Sequence, residues 1–370
     1  MFEIEFTPVI LILLSAIIVA SLYLIFGFRH YVASVGKRIV KDDAAPFPTD
    51  PSAYPSVSVI VYSEDDAENL EILLPQILEQ DYEGQFEVIV VNDGAISSTK
   101  DVIARLERRY PNLYMTFTPL ESRSLSRKKL AITLGIKAAR YEVVLLTLGT
   151  SRIESKTWLK SMARHFISGK EIVIGYATPL IPEDAPNPWK RLHSFDEVRT
   201  AIEYLSWAIA DRPYRGNCYN LAYRRSIFFK NKGFSRTLHL KFGDDDLFIN
   251  EVANADNTAV ELSTASIVEV LDQRPQLAHK NAKMRYDYTA KSLRTWARVF
   301  FASCSWAWWI LLGSTVALSI VGLPSLIPLI AACVIWLATA IILMLAWRKT
   351  SRALGSRSLL LTVPWFMTFE

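Results

Sequence analysis

The sequence predicts an α/β domain with a mainly parallel sheet, carried by one N-terminal and two C-terminal transmembrane helices. Two observations predict it. Short β-branched runs alternate with helical patterns between residues 57 and 174, the pattern of strands joined by crossover helices. Three membrane-length apolar runs lie outside that stretch, at residues 9–28, 299–321 and 326–347.

The first apolar run holds about 20 apolar or small residues without a charge, enough for a helix to cross a bilayer. A secretory signal is the competing reading. Its apolar core would be too long, its start is acidic at Glu3 and Glu5, and no small-residue cleavage site follows. The second and third runs are separated only by residues 322–325, with Pro324, and read as a hairpin spanning residues 299–347. Arg29, Lys37, Arg38 and Lys41 follow the first run, Lys291, Arg294 and Arg298 lead into the second, and Arg348, Lys349, Arg352 and Arg357 leave the third. The positive-inside rule then places the central domain and the tail, residues 348–370, on the cytoplasmic side of an inner membrane. Within that tail, residues 359–367 read either as an interfacial segment or as the start of a further membrane element.

Residues 31–54 read as a juxtamembrane linker, proline-rich at its end, and residues 55–298 as the soluble domain. A β-branched strand covers 57–62, followed by Glu64-Asp65-Asp66 and a helix burying Leu70, Leu73, Leu74, Ile77 and Leu78. Strands at 86–91, 114–117, 143–147 and 172–174 alternate with helices. Ser98 or Thr99 caps one carrying Val102, Ile103 and Leu106; others cover 130–139 and 158–166. From Pro179 the pattern loosens into prolines and a long amphipathic stretch, 189–209.

Composition narrows the function classes. Of the residues 51% are hydrophobic, and the excess lies in the terminal runs. The net charge of +4 comes largely from the membrane flanks, which favours anionic lipid headgroups as partner and no nucleic acid. The spans contain no ionisable residue, which argues against a channel or transporter. Cys304 and Cys333 lie in spans and Cys218 stands alone, so there is no disulfide framework.

Two acidic sites carry chemistry. Asn92-Asp93-Gly94 ends the 86–91 strand. A hairpin turn is the alternative there, but a polar and then helical segment follows, so the unit is strand, loop and helix. A carboxylate at the C-terminal end of such a strand lies where open α/β sheets bind ligands. Asp244-Asp245-Asp246 follows Gly243 and precedes Leu247-Phe248-Ile249. It reads as a solvated acidic loop, or as an anchored loop supplying a base whose pKa is raised by crowded neighbours.

Five segments, in this order, resemble family-2 glycosyltransferases: 57–61, 90–94, 128–139, 216–224 and 243–248, covering about residues 55–285. The resemblance implies a GT-A fold that binds a nucleoside diphosphate sugar and transfers the sugar, with inversion, to a lipid-linked or polysaccharide acceptor near the bilayer. It implies that Asp93 contacts the nucleoside, with Asp65 and Lys129 also on the donor side. Asp245 matches the general base, with Asp244 the neighbouring alternative. Arg285 falls on the arginine of a Gln-x-x-Arg-Trp motif, where it would neutralise the departing diphosphate. Ala282 and Tyr286 replace the Gln and Trp, and a basic flank beside the membrane is the other reading. Lys128 and Lys129 also read as the solvated face of a helix.

The sequence departs from the family at one place. The Asp-x-Asp expected after the 143–147 strand is replaced by Leu148-Gly149-Thr150. One or both of those carboxylates would bind Mg²⁺ or Mn²⁺; neither acid is present, and no metal ligand is assigned. Thr150 offers only a neutral oxygen to a hard cation that prefers carboxylates. Losing that charge stabilisation is worth a few kcal/mol, or about two to three decades in rate. The acid that often follows the nucleoside-binding Asp is absent too, since Ala95-Ile96-Ser97-Ser98 stands there. Two readings follow. In one, an active transferase uses Arg285, neighbouring lysines or a remote acid such as Asp244 in place of the metal site. In the other, a catalytically impaired pseudo-glycosyltransferase serves as a membrane-bound partner or regulatory subunit.

Overall fold

The computed structural model of the chain describes residues 7–94, 97–119, 126–184, 187–272, 274–321 and 326–356. Glu3, Glu5, the 95–96 pair, the 322–325 turn, Arg357 and the 359–367 segment lie outside the described residues. The chain divides into two units, Met1–Lys37 with Arg294–Glu370, and Arg38–Leu293.

The elements begin with α1 (Pro8–Tyr23), a π-helical turn (Leu24–Phe28), α2 (Arg29–Ala44), β1 (Val57–Ser63), α3 (Ala67–Leu78), β2 (Phe86–Asn92) and α4 (Ser97–Glu107). Next come β3 (Leu113–Phe117), α5 (Arg127–Ala138), β4 (Val143–Leu148), β5 (Ser151–Arg152), α6 (Trp158–Ile167), β6 (Ile172–Ile174) and β7 (Ala177–Leu180). The chain continues through α7 (Asn187–Ile209), β8 (Leu221–Arg224), α8 (Arg225–Lys230), α9 (Asp246–Val252), β9 (Thr258–Val260) and β10 (Val268–Leu271). It finishes with α10 (Pro275–Ala290), α11 (Thr295–Val321) and α12 (Ile327–Ala353).

Among the described residues, three helical stretches, Pro8–Ala44, Trp296–Val321 and Ile327–Ala353, are long and apolar enough to cross a membrane, one N-terminal and two C-terminal. In the first unit Ile17 and Leu24 are buried, while Ile12, Val19 and Phe26 face outward. Small polar groups tie the helices together: Ser21 Oγ meets Thr339 Oγ1 at 2.5 Å, and the Thr350 hydroxyl donates to the Val32 carbonyl at 2.9 Å. The N-terminal helix does not stop at its apolar limit. The π-turn leads into α2, whose end is supported by an Arg38–Asp42 pair four residues apart.

In the second unit the main sheet has the order β3-β2-β1-β4-β8-β6-β9. β3, β2, β1 and β4 are parallel, and β8 runs antiparallel between β4 and β6. The central strands are buried on both faces, which explains why they read as mostly apolar runs; the polar exceptions near their starts, Ser58 and Glu87, pair with each other at 2.6 Å. Val57, Val59 and Val61 share one buried cluster with Leu70, Leu73, Leu74 and Ile77 of α3, each such side chain worth about 1.5–3 kcal/mol when fully buried. On the other face α5 lies very close to the sheet. A Cβ on Gly135 would stand 2.6 Å from Ile60 and 2.9 Å from Val91, so only glycine fits. This seats the N-terminus of α5 above the ends of β1 and β2.

β2 and β4 flank β1 on opposite sides, so the strand order reverses there and opens a crevice at the C-terminal ends. The register pairs Ser63 with Asn92 and Tyr62 with Leu148, which brings together residues 63–66, 92–94 and 148–150. A second sheet, β5-β10-β7, and the packed helices α7 and α10 complete the unit.

Candidate active site

Asp93 stands at the tip of β2, its N–H donating to the Ser63 carbonyl at 2.7 Å. Its nearly buried carboxylate pairs with Arg127 from the start of α5 and accepts the Tyr62 hydroxyl at 3.1 Å. Asp65 is brought alongside. A Cβ on Gly94 would lie 1.9–2.0 Å from the Asp65 carboxyl atoms, so Gly94 is what admits them. The Asn92 amide joins the two, 3.4 Å from Asp65 Oδ1 and 3.3 Å from the Gly94 carbonyl. Burial raises the Tyr62 pKa, reinforced by Glu64 and Asp93.

Lys128 links this half to the acidic loop. Its ammonium sits 5.9 Å from the Tyr62 ring centroid, 3.0 Å from Cys218 Sγ and 2.8 Å from Asp244 Oδ2. Lys129 does not join them. It is fully buried, with Nζ donating to the Thr237 and Leu240 carbonyls at 2.6 and 3.2 Å, so it fastens the 237–240 loop. Successive helical side chains diverge by about 100°, which sends neighbouring lysines to different tasks. Of the two, Lys128 stands at the site.

The three aspartates of the loop part in the same way. Gly243 adopts φ +95°, and a Cβ there would meet Leu247 at 2.5 Å, so the turn into α9 needs glycine. Asp246 is held bidentately by Arg215 at 2.9 and 3.1 Å and accepts the Thr289 hydroxyl at 3.0 Å. Asp245 accepts the N–H groups of Cys218 at 3.0 Å and Asp246 at 2.8 Å, and pairs with Arg285 from α10. Asp244 faces Lys128.

The crowding expected to raise a carboxyl pKa acts on Asp246, where burial dominates and pushes it up. Asp245 goes the other way. Burial alone would raise its pKa, but Arg285, Lys128 and two backbone N–H donors hold it well below the usual carboxylate range. Arg285 is therefore no mere basic flank. It reaches into the acidic loop, and its Nε is buried without a partner among the described residues.

The residues do not fit the cation expected after β4. Leu148-Gly149-Thr150 offer no carboxylate, and the side-chain atom nearest a Cβ built on Gly149 is Asp66 Oδ2 at 3.1 Å. Cys218, Asp244 and Asp245 also bring ligand atoms within 4.8 Å of one another. Lys128 and Arg285 already neutralise that group.

Sequence reading missed Arg127 and Arg215, whose partners lie far away in the chain, and underused Lys128. Arg215 immediately precedes the Gly216-Asn217 segment, the one local hint of its role.

A mainly parallel sheet with an acid-lined crevice at the reversal of strand order defines a GT-A-like nucleotide-sugar fold. The chain belongs to glycosyl transferase family 2, whose profile matches residues 56–240. A dolichyl-phosphate beta-glucosyltransferase of Trichomonas vaginalis is 30% identical over 148 residues, 36% of this chain and 44% of that protein. The match therefore spans less than half of that relative's length. Among solved structures, the mannosyltransferase PcManGT from Pyrobaculum calidifontis, in complex with GDP-Man and Mn²⁺, shares the fold with a TM-score of 0.56. That likeness covers 96% of this chain and 99% of the other at 19% identity.

Proposed function

We propose that the chain is a membrane-bound glycosyltransferase that moves a sugar from a nucleoside diphosphate donor to a lipid-linked or polysaccharide acceptor, with inversion. The basic flanks of its apolar helices favour a domain facing the cytoplasm. The observation that carries the reading is the continuous set of contacts from Asp93 through Tyr62 and Lys128 to Asp244, beside the Asp245–Arg285 pair.

Asp93, fixed by Arg127, and Asp65 take the nucleoside. Lys128 and Arg285 supply positive charge to the diphosphate, where the residues after β4 offer no carboxylate pair. Arg285 has a second effect. While it holds Asp245, that carboxylate is a weak base; once a diphosphate draws Arg285 away, Asp245 loses its counter-charge and gains basicity. Donor binding thus prepares the base.

The missing carboxylates at 148–150 favour a competing reading, a catalytically impaired membrane partner. Nucleoside diphosphate release by the detergent-purified chain separates the two. The probes are UDP-, GDP- and dTDP-sugars, with native membrane lipid extract as acceptor source. Release from at least one donor supports transfer. Absence of both release and nucleotide binding across the panel would sink it.

A further inference from the structure

Beyond Asp245 and Arg285 the site continues into an open cavity of about 410 Å³ lined by α7, α10, β7, β10 and the segments around residues 215–219 and 241–245. Volumes of about 300–1,000 Å³ suit small-molecule sites, so a saccharide ring has room. His193, Glu197 and Tyr204 line it from α7, the first two one helical turn apart on a single face. His193 is 2% exposed; its Nε2 lies 2.6 Å from Asp272 Oδ2, while its Nδ1 has no partner among the described residues. The half-buried Glu197 makes no hydrogen bond with another described residue. Tyr219, Phe242 and Tyr286 add aromatic surface.

An unpartnered buried polar atom costs about 1–3 kcal/mol, a deficit that a bound ligand's hydrogen bonds remove. The lining selects among ligands. An acceptor phosphate is already an anionic nucleophile and needs no base. In this cavity it would face Asp245, Glu197 and Asp272, while Arg215 is paired with Asp246 and Arg285 is held by Asp245 or, with donor bound, by the donor's diphosphate. Lys241, 5.3 Å from the Phe242 ring centroid, is the one lining Lys or Arg left among the described residues. A neutral hydroxyl has the opposite needs: a carboxylate to take its proton, hydrogen-bonding groups for its neighbours and an apolar ring face to rest on.

Resting on the transferase reading above, we propose that this cavity is the acceptor site and takes a hydroxyl-bearing saccharide rather than a polyprenyl phosphate. Glu197 and His193 hold ring hydroxyls. The attacking hydroxyl oxygen forms the new bond to the anomeric carbon as its proton passes to Asp245. The bond from that carbon to the diphosphate oxygen breaks, and the electron pair leaves with the diphosphate.

Ligand binding by the detergent-purified full chain, followed by saturation-transfer NMR, tests this without requiring turnover. The probes are methyl glycosides of glucose, galactose, mannose and N-acetylglucosamine, with farnesyl phosphate as the phosphate-bearing comparison. At least one methyl glycoside is expected to bind saturably, and at least tenfold more weakly in both Glu197→Gln and His193→Gln, with thermal melts checking that each variant folds. Farnesyl phosphate binding that weakens in these variants, the absence of any glycoside binding, or glycoside binding indifferent to both substitutions would each overturn the assignment. Nucleotide-sugar binding, measured in the same samples, is the separate control. Its loss alongside intact glycoside binding would count against the transferase reading and not against the cavity.

Discussion

Asp245→Asn separates chemistry from packing at the acidic loop. The substitution keeps an oxygen that can accept the Cys218 N–H but removes the charge that holds Arg285 and takes the proton. Loss of a positioned general base slows transfer by about 10²–10⁴-fold, or roughly 3–5 kcal/mol of barrier. The folding cost is smaller, because the Arg285 side chain retains 21% of its exposure and can be partly rehydrated. About 1–3 kcal/mol is reasonable, below the roughly 3–5 kcal/mol for breaking a fully buried pair. Asp246→Asn should invert that balance. Arg215 and Asp246 are 7% and 1% exposed, so the variant should lose the full roughly 3–5 kcal/mol, lowering the melting temperature by about 10 °C. Radiolabelled sugar transfer and thermal unfolding, measured on both variants, give the two readings. Transfer within about threefold of wild type in Asp245→Asn would refute its role as base. A wild-type melt in Asp246→Asn would refute the structural role of its pair with Arg215.

Two further perturbations probe the same site, and a third probes an ion pair outside it. Lys128→Met should cut transfer at least tenfold, whereas Lys129→Met should lower the melting temperature and leave transfer per folded molecule unchanged; the reverse result would return Lys129 to the donor site. Gly94→Ala drives a Cβ into the Asp65 carboxylate and should weaken nucleotide binding about tenfold, a loss of about 1.4 kcal/mol by calorimetry. Glu261 is held by Arg164 and His165, whose hydrogen bonds and charge overcome burial and lower its pKa. Its contribution is present above the unfolded value of about 4.5 and is lost as pH falls through the lowered folded value. Melting temperature should therefore decline more steeply below about pH 5 in wild type than in Glu261→Gln.

The parallel half of the domain could be read from the sequence because its signals are local. Val57, Val59 and Val61 alternate within a mostly apolar run, and Asn92-Asp93-Gly94 ends another, so both the strands and the tip proposed to take the donor are written in adjacent residues. The helix burying Leu70 to Leu78 falls where its apolar spacing puts it, whereas α4 already begins at Ser97, so Ser98 and Thr99 lie inside that helix and not at its cap. The antiparallel half is different. β8 is inserted between β4 and β6 through pairings some 50–80 residues apart, and four-residue strands carry no periodicity long enough to register. The same limit applies to the site. Asp244, Asp245 and Asp246 are alike in sequence, and only the start of α9 sends them to Lys128, Arg285 and Arg215. His193 and Glu197 look like ordinary polar positions of an amphipathic helix until α10 and β10 close around them.

The most direct measurement is sugar transfer by the purified chain in excess EDTA, with Mn²⁺ or Mg²⁺ restored in parallel. With Lys128 and Arg285 serving the diphosphate, transfer should persist in EDTA and gain little from either cation. Transfer that vanishes in EDTA and returns with Mn²⁺ would contradict it, and would mean that acids other than those of the missing pair hold a metal at the crevice.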